Sequence, residues 1–74
     1  MNEMVAVTWS DAFFDLDARE SYPDDYRVTT LGYVLERGPL FLRVASERLP
    51  DGWRAITSIP VALIVDEYTL GRVP

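Results

Sequence analysis

The chain has 74 residues, of which 49% are apolar, 12% aromatic and 26% charged, and this suits one small packed domain spanning residues 1–74. Lys and Arg number 7 against 12 Asp and Glu, which gives a net charge of −5, and there is no His and no Cys. Without them there is no disulfide framework, no zinc-ligand set and no thiol or imidazole to act as nucleophile or base.

The opening residues, Met1-Asn2-Glu3-Met4, lack the basic and then apolar pattern of a secretory leader. The longest uncharged apolar run covers residues 59–65, far below the roughly 20 residues that a membrane helix needs. A soluble cytoplasmic domain is expected. Val5, Val7 and Trp9 then recur at period two and predict a first strand over residues 4–9. Ser10 or Asp11 can cap a short helix that carries Phe13 and Leu16 on one side and stops at Pro23. The same stretch reads equally as an acidic loop with Phe13, Phe14 and Leu16 as plugs.

Residues 27–36, rich in Val, Thr, Tyr and Leu, predict a second strand, with Gly32 marking a bulge or a close backbone approach. Arg37-Gly38-Pro39 is a turn. Residues 40–49 predict a third strand, with Leu40, Leu42 and Val44 facing one way and Phe41, Arg43 and Ala45 the other. Pro50-Asp51-Gly52 is a tight-turn signal, Pro fixing one φ and Gly permitting a positive one. Residues 53–59 predict a fourth strand with Trp53, Ala55, Thr57 and Ile59 inward. Pro60-Val61-Ala62-Leu63 predicts a single helical turn, Pro being favoured at a first helical position, and residues 64–70 predict a fifth strand before a short tail.

This order is that of a mainly β, five-stranded SH3/Sm-like small barrel with a short helix or acidic loop after the first strand. The residues that carry the Sm-like resemblance are Thr30-Leu31-Gly32-Tyr33-Val34 and the Ile-Pro-x-x-x-Ile segment from Ile59 to Ile64. Unlike typical Sm-like domains, the chain opens with a strand and lacks their RNA-contacting loops. The chain also resembles small uncharacterised bacteriophage and prophage proteins, through Trp9-Ser10-Asp11, Thr30-Leu31-Gly32 and the same Ile59–Ile64 segment. That resemblance implies action by binding, as inhibition of a host enzyme or sequestration of a defence signal.

Charge is split along the chain. Residues 1–25 carry seven acids and one arginine, a local charge of −6, whereas residues 26–74 carry six arginines and five acids, a local charge of +1. All seven basic residues are Arg, a bias that a GC-rich coding sequence or a need for paired guanidinium donors would each produce. Carboxylate pairs at Asp15/Asp17, Asp24/Asp25 and Asp66/Glu67 lack anything to hold them in contrasting environments, and no calcium-loop or phosphate-loop spacing is present. The chain therefore reads as a binding protein and not an enzyme, with no cofactor.

Tyr22, Tyr26, Tyr33, Tyr68, Trp9 and Trp53 offer flat stacking surfaces, although Trp9 and Trp53 read first as core. Arg27, Arg37, Arg43, Arg48 and Arg54 offer donors for phosphate. The expected ligand set is Tyr22, Tyr26, Arg27, Arg43, Arg48 and Arg54 at the seams of a homo-oligomer, holding a small phosphorylated nucleotide, cyclic or NAD-derived. Two alternatives stand beside it. One is an acidic inhibitor or DNA mimic that meets a host protein through Asp15, Asp17, Asp24 and Asp25. The other is an Sm-like RNA-binding ring, which the negative charge disfavours along with double-stranded DNA. Oligomerisation is expected because several strands are apolar on both faces while a small barrel has one interior.

Overall fold

The computed structural model describes residues 2–10 and 27–74. Five antiparallel strands make one sheet: β1 (Asn2–Ser10), β2 (Arg27–Arg37), β3 (Phe41–Leu49), β4 (Gly52–Pro60) and β5 (Ile64–Val73). One 3-10 turn, Val61–Leu63, links β4 to β5 behind Pro60, whose φ of −60° suits the entry. The expected short helix or acidic loop after β1 lies outside the described residues. Among those that are described, no helix is long and apolar enough to cross a membrane.

The sheet order is β4-β3-β2-β1-β5, and the sheet is open. β4 and β5 are its edges, so the closed ring of hydrogen bonds expected of a barrel is not formed. Cross-strand register sets the two faces, because residues directly opposite in an antiparallel pair point the same way. Val5 faces Gly32 and Thr69, and Val7 faces Thr30 and Glu67. This inner face holds the core: Val5, Val7, Leu42, Val44 and Ile59 are buried, with Trp9, Val34 and Ile64 packed against them. Trp9 fills the core as expected, and its indole Nε1–H donates to Thr30 Oγ1 at 3.0 Å.

The outer face begins with Met4, opposite Tyr33, which is itself opposite Ala45, which is opposite Ile56. The next row sets Ala6 between Leu31 and Tyr68. Ala45 is fully buried although it lies on this outer face.

Glycine marks a close approach in β2. A Cβ built on Gly32 would stand 2.3 Å from the Ala45 carbonyl oxygen and 2.7 Å from Val44 Cγ1. The bulge falls elsewhere: the β2–β3 register slips between Val34 and Glu36, and the β1–β5 register slips beside Leu70 and Val65.

Three expectations about side-chain direction and turn geometry need correction. Leu40 was expected beside Leu42 and Val44 but is exposed, because it precedes β3 in the turn. Gly52 does not use a positive φ; among glycines of the described residues only Gly71 does, at 142°. In β4, Ile59 points inward, but Ala55 is exposed with a φ of 58°. A residue in the left-handed region interrupts period-two alternation. Trp53 beyond it does not join Ile59; its ring meets Tyr33 of the outer face, with centroids 5.2 Å apart at 51°.

Candidate ligand-binding surface

The tight turn after Leu49 pairs Arg48 with Trp53 across the β3–β4 ladder. The Arg48 guanidinium carbon lies 5.5 Å from the centre of the Trp53 ring, a cation–π distance. Arg48 also donates to the Pro74 carbonyl oxygen, which brings the end of β5 to the same place. Arg48, Trp53 and Tyr33 thus form one layered group at the hairpin tip. Among the described residues, no Asp or Glu side chain is paired with Arg48.

The other expected arginines are differently employed. Arg54 grips Glu47 with two bonds, Nη2 to Oε2 at 2.8 Å and Nε to Oε1 at 3.2 Å, and this pairing raises the already high pKa of its guanidinium. Arg43 lies 3.7 Å from Glu36 on the neighbouring strand. Arg27 pairs with Ser10 on the last rung of β1–β2, at the end of the sheet where residues 11–26 leave and return. Arg27, Arg43, Arg48 and Arg54 therefore occupy separate strand positions and do not converge within one chain. Tyr22, Tyr26, Asp15, Asp17, Asp24 and Asp25 lie outside the described residues.

Sequence reasoning missed a second charged group. Arg37, at the end of β2, donates to Glu3 of β1 at 2.8 Å and to Glu67 of β5 at 2.6 and 3.2 Å. Thr69 Oγ1 donates to Glu3 at 2.9 Å. Period two places Glu3 with Val5 and Val7, and Glu67 faces Val7, so this cluster borders the inner core and ties three strands together. No local pattern could flag it, because its hydrogen-bonded partners are 30 or more residues apart in the chain.

The hydrogen bond from Arg37, then that from Thr69, holds the Glu3 carboxyl below the usual carboxylate range. A lowered folded-state pKa means that the unfolded chain binds the proton more readily. The contribution to stability is present above the ordinary carboxylate pKa and is lost as pH falls through the folded value. Acid unfolding followed by circular dichroism should thus show a limb below about pH 4.3, the ordinary value for Glu. In Glu3→Gln that limb should flatten; an unchanged acid profile would contradict the role given to the cluster.

Among the described residues, no three of Asp, Glu, His or Cys are grouped to hold a metal ion. The chain matches no known family, no curated protein and no solved structure. The surface must be read on its own chemistry.

Proposed function

We propose that this chain is a non-enzymatic, phage-type accessory protein that captures a small phosphorylated nucleotide, cyclic or NAD-derived, and works as a homo-oligomer in the cytoplasm of a host cell. The observation that carries the ligand part is the Arg48–Trp53–Tyr33 group. Planar rings accept a base by stacking, worth about 1–3 kcal/mol per base. A guanidinium beside those rings, paired with no Asp or Glu side chain among the described residues, offers paired donors for a phosphate. A net charge of −5 works against long nucleic acids, whose binding needs many phosphates neutralised, and much less against one small anion.

Of the ligand residues expected from sequence, this reading keeps Arg48 at its centre. Arg43 and Arg54 are secondary, since each would have to leave a carboxylate. We further read the sheet as belonging to the SH3/Sm-like small-barrel type. The chain order and the place of β5 beside β1 support that reading, because only the β4 and β5 edges would have to meet to close it.

The test is thermal melting of the purified protein with a panel of mono-, di- and cyclic nucleotides and dinucleotides. A true ligand at a hundred times its dissociation constant adds about 2.7 kcal/mol and raises the melting temperature measurably. Arg48→Gln and Trp53→Ala should each abolish that rise. A panel without any shift, or a shift untouched by both substitutions, would remove the ligand reading.

A further inference from the structure

We infer that the captured nucleotide carries two bases, the first resting on the Tyr33–Trp53 rings and the second on Tyr68 of β5, so that the ligand is a dinucleotide. The inference deepens the proposed function and rests on its ligand half. Tyr68 is 65% exposed, the most of any aromatic residue among those described, and the core makes no use of its ring. Register puts it on the same side as the other two rings. Tyr68 is opposite Ala6, Tyr33 is opposite Met4, and Met4 and Ala6 stand two residues apart in β1. Two strand spacings across and two residues along set the Cα atoms of Tyr33 and Tyr68 about 12 Å apart.

That spacing selects the ligand. Bases stacked in succession lie about 3.4 Å apart, so two such bases cannot reach both platforms. A mononucleotide covers one platform, and a dinucleotide opened flat covers both. Between them β1 presents Met4 and Ala6, with Leu31 beside them, an apolar strip that suits uncharged rings and sugars. Charge then orients the molecule. Arg48, which lies over the Trp53 ring and reaches the Pro74 carbonyl oxygen at the end of β5, supplies the guanidinium for the phosphates. The rung next to Tyr68 on this face carries Asp66, opposite Thr8, and Arg27 follows one rung later, opposite Ser10. Asp66 accepts the Glu67 N–H at 2.9 Å. A carboxylate at that rung repels phosphate, so the phosphates lie towards Arg48 and an uncharged base lies over Tyr68. A longer strand would have to carry its next phosphate past Asp66 on a chain of net −5.

The experiment is isothermal titration calorimetry of the full chain with adenosine and guanosine monophosphates, linear and cyclic dinucleotides of the same bases, and single-stranded hexamers. A dinucleotide is expected to bind about five- to a hundredfold more tightly than its monophosphate, the value of one further stacked base. Tyr68→Ala should bring that dinucleotide down to the affinity of the monophosphate. Tyr68→Phe, which keeps the ring, should hold it near wild type. Circular dichroism should show the β spectrum retained in both variants, since the side chain is exposed. Dinucleotides that bind no more tightly than monophosphates overturn this inference alone and leave capture of a single nucleotide standing. So does a dinucleotide whose affinity survives Tyr68→Ala, or falls as far in Tyr68→Phe. A hexamer that binds more tightly than every dinucleotide also overturns it, and marks the face as one for single strands. Binding by none of these probes removes the ligand half of the proposed function together with this inference.

Discussion

Gly32→Ala should remove most of the protein's stability at 25 °C. The new methyl group would lie 2.3 Å from the Ala45 carbonyl oxygen, 2.7 Å from Val44 Cγ1 and 2.9 Å from the Ala45 carbonyl carbon. Two of these three atoms are backbone, so no rotamer change can relieve the clash. β2 and β3 would have to separate where the ladder joins Tyr33 to Ala45 and Val34 to Val44. Overpacking of this kind costs about 3 kcal/mol, the upper end of the usual range. A domain of this size holds only about 3–5 kcal/mol in total. Urea unfolding at fixed protein concentration measures the loss. Gly52→Ala is the matched control, because nothing lies within 4 Å of its Cβ and its φ is not positive. It should stay within about 0.5 kcal/mol of wild type. Wild-type stability in Gly32→Ala would mean that β2 and β3 do not meet in this register.

Leu42→Ala should be nearly as damaging, and Leu40→Ala close to silent. Leu42 is 2% exposed and opposes fully buried Ile59 on the β3–β4 ladder. Truncation removes buried methyl groups and leaves a cavity between two strands, which costs about 2–5 kcal/mol. Leu40, two residues earlier, is 71% exposed and has little burial to lose. The comparison separates burial from hydrophobicity, since both residues are leucine and both fit the same alternating pattern. A midpoint for Leu42→Ala equal to that of Leu40→Ala would mean that the inner face is not the core.

The strands were largely legible because each carries its own signal. Alternation of Val5, Val7 and Trp9 needs no distant partner to show which side is apolar. Pro60 announced the single helical turn, although it ends β4 in an extended conformation and caps the turn instead of taking its first position. Gly32 flagged a close approach because the absence of a Cβ is useful only where something is near. The errors fall where a neighbour overrides local periodicity. Trp53 looked like a fourth-strand core residue until the left-handed Ala55 broke the alternation and Tyr33 received the ring.

The candidate site divides in the same way. Arg48 was identifiable as a donor, and Trp53 and Tyr33 as flat rings, from residue type alone. Their assembly was not, because Tyr33 and Trp53 belong to β2 and β4, which are not adjacent in the sheet. Nor could sequence show that Arg43 and Arg54 are held by Glu36 and Glu47, since a carboxylate quenches a guanidinium only when the strands align them.

By itself, then, the sequence determined the number of strands, most of their directions of burial and the absence of thiol and imidazole chemistry. These follow from composition and from a two-residue period that most of the strands obey locally, β4 departing from it at Ala55. Only the tertiary structure decided that the sheet stays open, that Arg37 bridges β1, β2 and β5, and that an apolar strip crosses the outer face. The reason is that register between strands depends on the whole set of contacts. A one-residue slip would exchange the two faces while leaving each strand's own pattern unchanged.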